Sequence, residues 1–167
     1  RPLAEFTGRK IESVPASMGI GSVVESADCP EALELARRFV AGVGISGPVA
    51  VEFKRDSSGR YWMIEPNVGR MESSVDLVIQ SGVNLPLVEF RHALGQEADG
   101  VAWPRQEVVF FDTERDPLAY TRACVREGTL RPYGKQPVFP HLGHGDWGPL
   151  WAAAGDRVTR VGRRLGR

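Results

Sequence analysis

The chain has 167 residues, 42% hydrophobic and 25% charged, which suits one ordinary domain with a sizeable core. Twenty-one basic against twenty-one acidic residues give a net charge of zero, so the whole-chain field of a nucleic-acid binder is missing, and no apolar run approaches the roughly 18 residues of a membrane span. Cys29 and Cys124 lie far apart, without metal-ligand spacing or the density of a disulfide scaffold, so the expected setting is reduced and cytoplasmic.

The start at Arg1 carries charge but no apolar segment behind it, which is not a signal-peptide pattern; the expectation is that an earlier part of the protein precedes it. LAEFTGRK, residues 3–10, has the mixed pattern of an exposed strand. PASMGIGS brings Pro15, Gly19 and Gly21 as loop punctuation, and SVVES, residues 22–26, reads as a second strand. In PEALELARRFVAGVG, Pro30 suits a first helical position, Leu33, Ala36 and Val40 supply an apolar stripe, and Gly42 or Gly44 ends the helix.

VAVEFKRDSSGRYWMIEPNVGR, residues 49–70, reads as a hairpin turned by DSSGR at 56–60. Next come two short helices, SSVDLVIQSG and LPLVEFRHALG, with Ser73 as a cap and Gly82 and Gly95 as stops. VVFFD, residues 108–112, is a strand. DPLAYTRACVREG, residues 116–128, is a helix with Asp116 as cap, Pro117 in the first turn and Gly128 as terminator. Beyond it Pro132, Pro137, Pro140 and Pro149 predict irregular chain. The arginine-rich end from Asp156 to Arg167 reads either as a solvated, frayed end or as a basic contact for an acidic partner. The shift at Asp99–Pro104 predicts a boundary between residues 1–98 and 99–167. Hairpins separated by helices predict an α+β fold, an antiparallel sheet backed by helices.

The hairpin raises a chemical question. Side chains alternate along strands, so Ala50, Glu52 and Lys54 share one face of the first strand, and Tyr61, Met63, Glu65 and Asn67 share one face of the second. A closed hairpin then sets Glu52 across from Glu65, or one pair away, with Asn67 nearby. Facing carboxylates repel unless a positive charge sits between them. Two readings stand at this point: an amphipathic hairpin with a wet face, or hard oxygen donors gathered for magnesium, which keeps waters and shares its other positions with phosphates. Arg70, after Gly69, reads as an anion contact or a structural ion pair, and Lys54 as a phosphate contact or a solvated strand residue.

The strings G-x-x-x-V-E-F-K-R-D and G-R-Y-x-M-I-E-P-N, followed by a polar loop and SGVNLP, resemble the ATP-grasp superfamily. FTGRKIESVPASMGIGSVVES, ahead of them, is similar to the corresponding stretch of the carboxylate-amine ligase-like branch, which includes D-aspartate ligase-like proteins. The resemblance covers residues 5–95 well and is looser from Trp103 onward. It implies that residues 1–98 form the C-terminal lobe of an ATP-grasp fold without its N-terminal nucleotide lobe, and that 99–167 are an extension packed on it. It further implies ATP and Mg2+ as cofactors and Glu52, Glu65 and Asn67 as ligands of magnesium ions bridging the ATP phosphates. Lys54 is then a phosphate contact, and Arg70 steadies the transferring phosphate.

The implied partners are a small-molecule carboxylate, an amine and the missing N-terminal part of the same enzyme, with no nucleic acid and no membrane. The alternative is a non-catalytic ATP-grasp-like binding module. Many family members place the arginine in an E-x-N-x-R arrangement, whereas E-P-N-V-G-R puts Arg70 one position later. Arg9, Lys10, Gly19 and Gly21 read as solvated or loop residues that are also placed to meet an anion. Glu72, Ser73 and Ser74 read as pocket-lining residues, with capping the other reading for one of the serines. His92, His141 and His144 read as structural or surface residues, and Trp103, Trp147 and Trp151 as packing anchors.

Overall fold

Four apolar residues in a row, VVFF, are all buried in a strand when both of its faces are covered. The computed structural model describes residues 1–16, 18–97, 106–142 and 146–165, with backbone alone at 157, 158 and 160–165, and it places Val108–Phe111 in that way. The strands are β1 (Gly8–Val14), β2 (Ile20–Ser26), β3 (Val49–Arg55), β4 (Tyr61–Val68), β5 (Val108–Phe111) and β6 (Gln136–Val138). The helices are α1 (Pro30–Val43), α2 (Val75–Gln80), α3 (Leu85–Ala93), α4 (Ala119–Glu127) and α5 (Gly148–Leu165), with a 3-10 turn at Pro132–Gly134. One sheet has the order β1-β2-β5-β6, and β3 and β4 form a separate two-stranded sheet. This is the expected α+β architecture, with antiparallel pairing throughout except that β5 and β6 run parallel. A parallel pair needs a crossover, and α4 with the 3-10 turn supplies it.

Alternation along β5 divides the core in two. Val109 and Phe111 meet Val23, Ala119 and Ala123, with Ile11, Tyr120, Tyr133 and Phe139 packed around them. Val108 and Phe110 meet Leu77 and Val138, with Phe6 and Val24 alongside. α4 therefore covers one face of the sheet and α2 the other. Burying each such side chain contributes about 1.5–3 kcal/mol, so β5 is the strand on which the sheet depends most. The Phe111 ring adds edge contacts, its centroid 5.3 Å from that of Tyr120, while Tyr120 and Phe139 lie 5.0 Å apart at 89°.

Among the charged residues described on the strands of this sheet, Glu25 is the buried one. The Glu25 carboxylate, on β2, accepts a 2.6 Å hydrogen bond from Arg9 Nε and lies 2.8 Å from Lys135 Nζ, which also donates to the Ser26 carbonyl. Burial pushes the Glu25 carboxyl up, and the hydrogen bonds and charges of Lys135 and Arg9 outweigh that, leaving it below its ordinary value.

Local rules account for most helix ends. Pro30 opens α1, and Gly44, at φ 71°, closes it with its N–H on the Val40 carbonyl. Asn84 caps α3 by accepting from Leu87 N.

Other expectations need correction. The first strand begins at Gly8 rather than residue 3. Ser73 is not the cap of α2; Ser74 holds that position, without a capping side-chain bond. The regular part of α4 begins at Ala119, with Leu118 in the N-cap position, and the Asp116 carboxylate before it is held by Arg122 and by the backbone N–H groups of Leu118 and Ala119. Irregular chain is expected around Pro149, yet α5 runs from Gly148 to Leu165. Pro149 sits at its start, where a missing N–H costs nothing. Trp147 and Trp151 are mostly exposed and so are not the expected packing anchors. Trp103, His144 and the boundary expected at Asp99–Pro104 lie outside the described residues, and the four-stranded sheet draws strands from both sides of that boundary. Among the described residues no helix is long and apolar enough to cross a membrane.

Candidate functional site

The turn between β3 and β4 is built around Asp56. Its carboxylate accepts from the Ser58 hydroxyl and N–H, from Arg60 N and from the Trp62 indole N–H. These hydrogen bonds, led by that of the Ser58 hydroxyl, bring its pKa down to about 2. Gly59 supplies the left-handed backbone, φ 87°, that closes the loop. At the far end of the hairpin, Gly69 N–H bonds the Pro48 carbonyl at 2.9 Å. Both ends are tied, so the register between them is fixed.

That register sets Glu52 directly opposite Glu65, and Ala50 opposite Asn67. The two carboxylates and the amide thus lie on one face, as the alternation predicts. Just beyond Glu65 the pairing shifts: Phe53 is opposite Met63, and Ile64 has no counterpart. This bulge reverses the alternation toward the turn. Met63 and Tyr61 therefore do not share the Glu65 face as expected; they pair with Phe53 and Arg55, and Lys54 faces Trp62. The Phe53 and Tyr61 rings, 6.3 Å apart at 85°, confirm that sidedness.

Each group at the site has a distinct environment. Glu52 is half-exposed, and its Oε1 accepts a 2.8 Å hydrogen bond from Lys10 Nζ, delivered from β1 of the other sheet. Glu65 is exposed and makes no hydrogen bond or ion pair with the described residues. Asn67 donates from Nδ2 to Glu72 at 2.9 Å and accepts at Oδ1 from the Arg70 guanidinium. These two bonds fix which side of the amide is oxygen. Gly69, at φ 75°, turns the chain so that Arg70 reaches back to Asn67 despite standing one position later than the usual family spacing.

The structure thus brings together Glu52, Glu65, Asn67 and Arg70, and leaves Lys54 further toward the turn. Sequence reasoning did not foresee the Lys10–Glu52 contact, which spans 42 residues and two sheets, and no local pattern signals it. Glu72, read as pocket-lining, orients the Asn67 amide. His141, read as a structural or surface residue, has its Nε2 2.7 Å from Glu114.

Among the described residues no three His, Cys, Asp or Glu side chains gather as a complete metal cage. The hairpin offers two carboxylates and one amide oxygen, a hard and incomplete donor set that suits magnesium sharing its shell with waters and phosphate oxygens. The face is open, and the Glu65 carboxylate is available, so the residues present fit such an ion. Shallow depressions on the outer side of α4, lined by residues such as Leu118, Val125 and Leu130, involve none of these groups.

The family model described as "ATP-grasp in the biosynthetic pathway with Ter operon" matches residues 3–114 of the chain. No curated protein and no solved structure gives a significant match.

Proposed function

Because the chain belongs to the ATP-grasp family, whose membership implies ATP binding and ligase-type chemistry, we propose that it is the metal- and phosphate-holding part of an ATP-dependent carboxylate-amine ligase. The observation that carries this reading is the direct pairing of Glu52 with Glu65, with Asn67 two positions along the same face. Facing carboxylates repel, Lys10 offsets only the charge of Glu52, and a divalent cation between the two would offset both.

In the proposed reaction the substrate carboxylate attacks the terminal phosphorus of ATP, and ADP leaves. An amine then displaces phosphate from the acylphosphate, forming the C–N bond and giving up a proton. Glu52, Glu65 and the Asn67 amide oxygen hold magnesium, which supplies charge neutralisation at the phosphate oxygens. Arg70 orients Asn67 and presents its remaining N–H groups to the transferring phosphoryl group, a role suited to a planar fork of donors. Lys54 offers its ammonium to a phosphate oxygen from the strand position next but one to Glu52. We assign the branch as D-aspartate ligase-like, the setting as cytoplasmic, and the substrates as a small carboxylic acid and an amine.

Calorimetric titration of Mg·ATP into the protein carrying this chain tests the reading. Glu52→Gln and Glu65→Gln should each weaken binding about tenfold or more. Binding equal to wild type in both variants would remove the site. Binding without ADP release under any acid and amine pair would favour the non-catalytic binding module.

A further inference from the structure

β1 and β2 meet at a tip that delivers a lysine to the carboxylate pair. Lys10, opposite Val24 in the four-stranded sheet, sends its Nζ to Glu52 Oε1 at 2.8 Å and to the Gly19 carbonyl at 3.4 Å. Two glycines define this path. A Cβ on Gly21 would stand 2.8 Å from Val24 Cγ2 and 3.3 and 3.4 Å from Lys10 Cγ and Cε, so the lysine stem runs where a side chain would otherwise sit. A Cβ on Gly19 would overlap the Val14 carbonyl at 2.1–2.2 Å, so only glycine lets the tip fold back and offer its own carbonyl to Lys10. The opposite carboxylate, Glu65, has no such partner among the described residues, and the Lys10–Glu52 pair is only half-exposed, at 36% and 46% for the two side chains.

We propose that Lys10 is a positioning residue of the Glu52–Glu65 pair: its ammonium holds Glu52 while no divalent cation is bound and competes with that cation for the same carboxylate, and Gly21 keeps the stem in line. The proposal rests on the metal-holding reading of the hairpin. One ammonium neutralises one of two facing carboxylates, so the strands close in register without metal. An arriving divalent ion must then displace the ammonium from Glu52, which lowers the affinity below what the two carboxylates alone would give. Lys10 thereby links occupancy of the hairpin to the position of the β1–β2 tip.

The probe is Mn2+ alone, titrated into the 167-residue chain and read from the EPR signal of the free ion. Glu65→Gln tests the underlying reading: binding about tenfold weaker is expected, and unchanged binding would bring down that reading and this inference together. Given that weakening, Lys10→Met should tighten Mn2+ binding roughly three- to tenfold, while Lys10→Arg, which keeps the charge, should stay near wild type. If Lys10→Met binds no tighter than wild type, or if Lys10→Arg binds as tightly as Lys10→Met, the competition is refuted and the metal-holding reading stands. Gly21→Ala should shift affinity in the same direction as Lys10→Met; wild-type affinity would remove Gly21 from the device. A second readout needs no metal. A double-mutant cycle of Lys10→Met and Glu52→Gln, followed by urea denaturation, should show coupling, and additive effects would overturn the contact itself.

Discussion

Arg70 and Asn67 are joined through the one amide oxygen that a metal ion would also use, since the guanidinium donates to Oδ1 while Nδ2 is engaged by Glu72. A residue that merely props Asn67 and a residue that meets the phosphoryl group both fit this contact, and they separate on removal. In the protein carrying this chain, Arg70→Met should leave Mn2+ binding unchanged or somewhat tighter, because Oδ1 is released, and should lower the rate of ADP formation at least tenfold. Loosened Mn2+ binding with an unaltered rate would assign Arg70 to structure alone.

Glu25 makes the four-stranded sheet sensitive to acid. Its carboxyl titrates below the ordinary value of 4.5 in the folded chain, so the unfolded state takes up the proton first as pH falls. The stabilisation is fully present above about pH 4.5 and is lost as pH drops through the lowered folded value. Glu25→Gln also leaves Lys135 with a much weaker partner and should cost about 2–3 kcal/mol at pH 7. Urea midpoints at pH 7 and pH 4 decide the matter: the wild type should lose more stability between them than the variant does, and parallel losses would contradict the assignment.

Two glycines give opposite forecasts for one substitution. Gly42 lies within α1 with open space around its Cα, so Gly42→Ala should stabilise by up to about 1 kcal/mol through helix propensity. Gly19→Ala drives a methyl into backbone 2.1 Å away and should destabilise by more than about 2 kcal/mol. Thermal melts of the pair check both signs.

Phe111 joins β5 to α4 and is fully buried among Tyr120, Tyr133 and Phe139. Phe111→Ala should cost about 3–5 kcal/mol. Exposed Val125, on the opposite side of α4, should change stability by less than about 0.5 kcal/mol when replaced by alanine. Equal losses would mean that β5 does not organise the core.

The hairpin was legible because its turn chemistry, DSSGR, and its strand residues point the same way, and β5 was legible as an uninterrupted apolar run. The bulge at Ile64 was not, since period-two reasoning has no means of counting an unpaired residue; it misplaced Tyr61 and Met63 while leaving Glu65 and Asn67 correct. Glu25, the residue before last in SVVES, carries no local sign of burial, because Arg9 on β1 and Lys135, far along the chain, enclose it. The same separation hides Lys10 from Glu52. α5 is hidden because Pro149 reads as an interruption, although it falls in the first turn and the alanines after it favour helix.

The inner partner of β2, β5, is made late. Ser26 exchanges hydrogen bonds with Val108 across 82 residues, so β2 emerges from the ribosome well before the partner that covers its inner edge. At about 5–20 residues per second that wait lasts roughly 4–16 s. During synthesis the nascent β1–β2 ribbon has an open pairing edge and an uncovered Val23, which makes it a point of capture for chaperones or for neighbouring chains on the same message.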